Sequence, residues 1–141
     1  MVTLKLKRSP RLPPWLVLVL MLSGGCGYMT EYRPLAPSGG YYEIPTSDGR
    51  LTVVMASNGS RMGPVLDLWL LHRCAQLTLN EGHSHFRILQ QGEKPPDSND
   101  YGSYRTATIE MLDAPGKGEV YEAQATADRT EEHLIGPARF R

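Results

Sequence analysis

The stretch VLDLWLLHRCAQLTLNEG, residues 65–82, is the clearest helical pattern in this 141-residue chain. At 100° per residue its apolar side chains cover more than half of a helix circumference. These side chains are Leu66, Leu68, Leu70, Leu71, Cys74, Ala75, Leu77 and Leu79. Because a surface helix needs a narrower apolar face, the pattern predicts a helix that lies deep against a sheet. Gly82 is expected to end it, since glycine readily adopts the left-handed conformation that closes helices.

The beginning of this helix can be set in two ways. Ser60 is a suitable N-cap, or Gly63 caps the helix and Pro64 takes the first helical position.

The sector of this helix away from the apolar face is polar except for Trp69. Its polar residues are His72, Arg73, Gln76 and Asn80. An exposed apolar groove beside the helix at Trp69 would favour partner binding, whereas a deep pocket with convergent charged groups would favour an enzyme.

Four further segments carry the pattern of strands. Residues 51–56 are apolar and β-branched, and residues 83–91 and 103–112 alternate between apolar and polar positions. Residues 119–128 also alternate, and we predict a strand there, with a helix as the alternative because of its alanines. Thr130 is expected to cap a last short helix.

The predicted order of elements is strand, helix, strand, strand, strand. It gives an α+β fold class, with one amphipathic helix packed on a small, mostly antiparallel sheet in a single domain over residues 50–141. Residues 26–49 are rich in Pro, Gly, Ser and Thr and show no regular period, which predicts a flexible tether. Within that stretch we expect Tyr41 and Tyr42 to dock on the edge of the domain.

The first 25 residues differ in composition from the rest of the chain. They contain four basic residues and no acidic one, followed by the apolar run LPPWLVLVLML over residues 12–22. A positive start, about ten apolar residues and a small-residue patch are typical of a removable secretion signal. A membrane-spanning helix would need ~20 apolar residues, and prolines and glycines bound this run too closely for that.

The sequence Leu-Ser-Gly-Gly-Cys at residues 22–26 resembles the lipobox of bacterial lipoprotein signals. The resemblance implies cleavage between Gly25 and Cys26 and attachment of acyl chains to Cys26, although Ser23 stands where such signals typically carry Leu. Gly27 replaces the aspartate that retains related proteins in the inner membrane. The expected location is therefore the outer membrane, with the domain anchored through its acyl chains and facing the periplasm.

The charge of the mature chain argues against nucleic-acid binding. The full chain has 15 basic and 15 acidic residues, and loss of the leader leaves 11 basic against 15 acidic residues, a net charge of −4. No basic stripe with interleaved aromatic residues is present, and nucleic-acid recognition depends on such a patch.

The two cysteines could form one disulfide bridge, but the alternative favoured by the helical pattern is that Cys74 is a small buried apolar residue.

The candidate catalytic and metal-binding residues are few. His83 and His85 would share a strand face, but Arg87 continues that face and would repel a cation. Asp67 lies at the edge of the apolar arc near Cys74 and is best explained as a first-turn carboxylate stabilised by the helix dipole. No nucleophile elbow or phosphate loop is present. The sequence therefore predicts no catalytic residue, no metal and no cofactor.

Residues 50–128 also resemble a family of small, uncharacterised proteobacterial lipoproteins. The resemblance is carried by Asn58-Gly59, by LLHRCAQLTLNEGHSHFRIL and by Tyr121 to Ala123. It implies no activity and no catalytic residues. The sequence thus predicts a membrane-anchored, non-enzymatic envelope lipoprotein that acts as a structural or protein-binding module. The alternative is a periplasmic domain that binds a small ligand or a metal through His83 and His85.

Overall fold

A computed structural model describes residues 32–58, 62–94 and 102–134 of the chain. These ranges contain five strands and two helices, in the order β1 (Gly39–Pro45), β2 (Leu51–Ser57), α1 (Gly63–Asn80), β3 (His85–Gly92), β4 (Ser103–Leu112), β5 (Tyr121–Glu122) and α2 (Ala123–Glu131). The strands form one sheet in the order β1-β2-β4-β3-β5, and every pairing is antiparallel. Helix α1 packs on the sheet and α2 packs on α1, which confirms the α+β prediction.

The core lies between α1 and one face of β2 and β4. The register pairs Val53 with Ala107 and Leu51 with Ile109, so the apolar residues of the two strands share a face. From α1, Leu66 and Leu70 reach this face as predicted from the helical pattern. Burying one such leucine contributes roughly 1.5–3 kcal/mol, so α1 is held mainly by its apolar face.

The ends of α1 agree only in part with the expectations. The helix begins at Gly63, with Met62 at the N-cap position and Pro64 in the first turn, so Gly63 is helical and does not cap it. Ser60 lies outside the described residues. Glu81 is the C-cap, and Gly82 follows it with φ +83°, the left-handed conformation expected of the glycine that ends the helix.

Strand β1 corrects the predicted tether. It pairs with β2 over its whole length, from Gly39 opposite Ser57 to Pro45 opposite Leu51. The flexible tether predicted over residues 26–49 is therefore wrong in this stretch, and ordered structure begins before residue 50. Residues 26–31 lie outside the described residues. Tyr41 docks as expected, with its ring 4.1 Å from the Arg73 guanidinium.

Residues 32–38 form a segment that we call the strap, which runs along the outer edge of β1. The Tyr41 N–H donates to the Arg33 oxygen at 2.8 Å, and the Leu35 N–H donates to the Tyr41 oxygen at 2.9 Å. The Tyr32 hydroxyl donates to Gln76 Oε1 of α1 at 2.6 Å, and burial raises the pKa of this hydroxyl. The strap thus covers part of a sheet edge that would otherwise be open.

Helix α2 corrects the strand predicted over residues 119–128. Only Tyr121 and Glu122 are extended, and the helix follows at once. Its buried residues are Ala123, Thr126, Ala127 and Thr130, which recur with the helical spacing of three and four. Thr130 therefore lies in the last turn of α2, and the prediction that it caps a separate helix is wrong. Small side chains on this face let α2 approach α1 closely.

Candidate functional site: a groove between α1 and the edge of β3

A groove of about 690 Å³ lies between the N-terminal half of α1 and the C-terminal half of β3. Its walls are largely apolar: Leu68 and Leu71 come from α1, Ile88 from β3 and Tyr121 from β5. The ring of Tyr121 is fixed because it stacks on Phe86 with 5.1 Å between ring centroids. The groove therefore offers a preformed apolar surface.

One end of the groove is closed by an ion pair. Arg105 Nε donates to Asp67 Oδ1 at 2.8 Å, and Arg105 Nη1 donates to the Tyr104 oxygen at 2.9 Å. A Cβ on Gly63 would lie only 2.9 Å from Arg105 Nη2, so the absence of a side chain there admits the guanidinium. Asp67 lies beyond the first turn of α1, and its partner is Arg105 rather than the helix dipole.

The edge of β3 beside the groove is open over several residues. Strand β5 pairs with β3 only at His85 and Phe86. Among the described residues no strand pairs with the outer edge of β3 from Ile88 to Gly92. The pairing of β3 with β4 shifts register between Ile88 and Gln90, and Leu89 at this irregularity is 39% exposed. Unpaired backbone groups of this kind accept an added strand.

The rim of the groove is acidic. Glu93 lines the groove and Glu119 lines the adjoining hollow along the β3 edge. Within the described ranges no cationic side chain lies within ion-pair distance of either carboxylate. Glu119 Oε1 accepts a hydrogen bond from the Tyr121 hydroxyl at 2.7 Å, which raises the pKa of Tyr121. A basic group on a ligand would therefore find two carboxylates that have no ion-pair partner among the described residues.

Trp69 does not border an exposed apolar groove, the arrangement that would have favoured partner binding at this position. Trp69 is completely buried, its Nε1–H donates to the His133 oxygen at 2.9 Å, and the Tyr32 ring meets it edge-on at 6.1 Å. The strap and the residues after α2 thus cover part of the sector of α1 that the sequence indicated as polar. The apolar groove beside α1 lies instead on the side of Leu68 and Leu71.

The candidate metal ligands are engaged with separate partners. His83 Nδ1 lies 2.7 Å from Asp113 Oδ1, and His85 Nδ1 lies 2.7 Å from Ser84 Oγ. The described part of the chain contains no group of three histidine, cysteine or acidic side chains close enough to hold one ion. Nothing in this geometry favours the metal-binding alternative over the groove.

The contacts of His85 with Ser84 Oγ and of His72 with Thr130 Oγ1 are not arranged as nucleophile and base. Thr130 Oγ1 donates to the Thr126 oxygen at 2.7 Å and Ser84 Oγ donates to the Asp113 oxygen at 2.7 Å. Each hydroxyl proton therefore points away from the neighbouring imidazole, although an imidazole that acts as a general base has to receive that proton.

Cys74 is fully buried as predicted, and burial raises the pKa of its thiol to about 12. It is not a reactive thiolate.

The buried imidazole of His72 makes stability depend on pH. Its Nδ1 lies 2.8 Å from Thr130 Oγ1, and burial, helped by Arg73, lowers the pKa of His72, while Ala127 and Glu131 act in the opposite direction. Below a pH of about 6.5 the unfolded chain binds a proton that the folded chain does not bind. We therefore expect the free energy of unfolding to fall as the pH falls from 7 to 5.

Urea titrations at pH 7 and pH 5 measure this effect. The control is His72→Gln, whose amide can still donate to Thr130 but does not titrate. The variant is expected to lose less stability than the unsubstituted protein over the same range. Equal losses in the two proteins would show that His72 is not the group responsible.

The groove lining contains two carboxylates, Asp67 and Glu93, and Asp67 is paired with Arg105. Within the described residues, the walls of the groove include no histidine, cysteine or serine.

A search of known proteins adds no functional assignment: no family model, no curated protein and no solved structure matches this chain. The resemblance to the lipoprotein family thus stays an expectation. Cys26 and Gly25, the predicted acylation and cleavage residues, lie outside the described residues.

None of the helices in the described part of the chain is both long enough and apolar enough to span a membrane.

Proposed function

We propose that this chain is a lipid-anchored envelope protein whose domain binds an extended segment of another protein in the groove between α1 and β3. The anchor rests on the leader and on Cys26. The binding function rests on one observation: an apolar groove runs beside a stretch of β3 whose outer edge is unpaired among the described residues. Among the described residues no histidine, cysteine or serine lines the groove, and Asp67 is paired with Arg105, which is consistent with a non-enzymatic role.

The chemistry of the ligand follows from the two surfaces that it would touch. The edge of β3 supplies backbone hydrogen bonds, which favour an extended peptide over a helix. Because side chains alternate along a strand, every second side chain of the peptide would enter the apolar groove. The carboxylates of Glu93 and Glu119 favour a lysine or arginine at the rim. The ligand is therefore an extended segment with alternating apolar residues and at least one basic residue.

A displayed library of random 12-residue peptides, selected on the purified full-length protein in detergent, tests this proposal. We expect enrichment of peptides that combine alternating apolar residues with a lysine or arginine. Loss of one leucine contact, worth roughly 1.5 kcal/mol, corresponds to about a tenfold loss of affinity. Leu68→Ala is therefore expected to weaken the selected peptides about tenfold, measured by fluorescence anisotropy, and Glu93→Lys is expected to weaken the basic ones.

Matched controls separate binding from stability. Leu77→Ala removes another half-buried leucine of α1 that does not line the groove, and Glu81→Lys reverses an exposed charge at the opposite end of the helix. Both controls should bind the selected peptides like the unsubstituted protein. The proposal fails if no peptides are enriched, or if Leu68→Ala and Glu93→Lys bind them as tightly as the two controls do.

A further inference from the structure

The strap presents an apolar tip at the outer edge of β1. Pro34-Leu35-Ala36-Pro37 carries no charged side chain, and Leu35 is 55% exposed. Exposed large apolar side chains are few in the described surface: only Leu35 and Leu89 are of this kind. They lie near opposite edges of the sheet, Leu89 on β3 and Leu35 beside β1.

The backbone N–H groups of this tip are already satisfied without water. The Leu35 N–H donates to the Tyr41 oxygen at 2.9 Å, and the Ala36 N–H donates to the Gly39 oxygen at 3.0 Å. Pro34 and Pro37 have no N–H to satisfy. Transfer to an apolar environment costs several kcal/mol for every unpaired backbone donor, and the tip has no unpaired backbone N–H group. The strap tip can therefore contact a lipid interface without exposing an unpaired backbone donor to it.

The length of chain before the strap limits where the strap can be. Only five residues separate Cys26 from Tyr32. Six Cα-to-Cα steps span at most about 22 Å when fully extended. A domain that begins at Tyr32 and is anchored at Cys26 is thus held next to the lipid surface. The longer tether predicted over residues 26–49 would have allowed the domain to lie further from the lipid surface.

From these observations we infer that the strap rests on the bilayer, with Leu35 inserted among the lipids at the interface. The inference depends on the proposed acylation of Cys26. It also orients the domain: the β1 edge faces the membrane, and the β3 edge with its groove lies three strand spacings further away, about 14 Å. The groove is then presented to partners in the compartment that the domain faces.

Thiol labelling at two positions tests this orientation. The full-length protein is purified from membranes as Leu35→Cys or Leu89→Cys and labelled with a nitrobenzoxadiazole fluorophore. Cys74 is buried, and an acylated Cys26 has no free thiol, so the introduced cysteine is the reactive one. The labelled proteins are reconstituted in vesicles of phosphatidylethanolamine and phosphatidylglycerol, with and without lipids that carry a doxyl quencher. Mass spectrometry of the N-terminal peptide reports the acylation of Cys26.

We expect the doxyl lipids to quench the label at position 35 at least threefold more than the label at position 89. Equal quenching at the two positions, or no quenching at position 35, in protein with acylated Cys26 would overturn the membrane contact and leave the anchor intact. An unmodified Cys26 in the purified protein would overturn the anchor and the membrane contact together.

Discussion

Trp69→Ala is expected to lower the free energy of unfolding by about 3–5 kcal/mol, the range typical of removing a buried aromatic side chain. Trp69 has no exposed surface and joins three parts of the fold: it belongs to α1, meets Tyr32 of the strap edge-on, and donates to the oxygen of His133 beyond α2. Truncation would leave a cavity where these parts meet. Since domains of this size are stable by only about 5–15 kcal/mol, the loss is a large fraction of the total.

A urea titration followed by circular dichroism measures this loss. Trp69→Phe is the matched control, because it keeps most of the apolar volume but removes the hydrogen bond to the His133 oxygen. It should cost about 1–3 kcal/mol, less than the alanine variant. A change below 1 kcal/mol for Trp69→Ala would mean that the ring does not lie in the core. In that case Trp69 would again be a candidate for partner contact.

Cys26→Ala is expected to move the protein from the membrane to the soluble fraction, with more than a tenfold drop in the membrane-bound share. Each buried methylene of an acyl chain contributes ~0.8 kcal/mol, so two or three chains hold a protein firmly, whereas one chain binds only marginally. The variant should also lose incorporation of labelled palmitate. Fractionation of cells by centrifugation, followed by immunoblotting, gives the distribution.

Cys74→Ala is the control for the anchor, because Cys74 is the free cysteine of the described domain and is fully buried. This variant should keep both its membrane location and its palmitate label. A Cys26→Ala protein that still partitions with membranes and still takes up palmitate would contradict the acyl anchor. Loss of the palmitate label in Cys74→Ala would mean that Cys74, and not Cys26, carries the acyl chain.

The central helix and its attachment to the sheet could be predicted from the sequence, because the apolar arc of α1 is set by local periodicity. The burial of Trp69 and His72 could not. Both lie in the polar sector of the helix, and they are covered by the strap and by α2, which are distant in sequence. A second buried side on a helix arises only when other elements pack there, and periodicity in the helix alone does not report it.

Two elements were predicted incorrectly for different physical reasons. Strand β1 begins with Gly39 and Gly40 at positive φ, and its seven residues show too little alternation to stand out from a linker. In α2 the spacing of Ala123, Ala125 and Ala127 suggests a strand. The inclusion of Thr126 and Thr130 restores the helical spacing, and the high helix propensity of alanine favours the same assignment.

The groove depends on a feature that has no local sequence signal. Whether the edge of β3 is open depends on where β5 stops pairing. The two-residue length of β5 follows from the early start of α2 at Ala123. The strand that the sequence predicts over residues 119–128 would be long enough to pair along that edge and close it. The error in α2 thus concealed the groove.

The intact mass of the protein extracted from membranes tests the central claim most directly, since the location, the strap contact and the orientation of the groove all depend on the anchor. The predicted result is a chain that begins at Cys26 and carries a diacylglyceryl group, with or without a further acyl chain on its amino group. A chain that retains residues 1–25, begins at another residue, or carries an unmodified Cys26 would contradict this account.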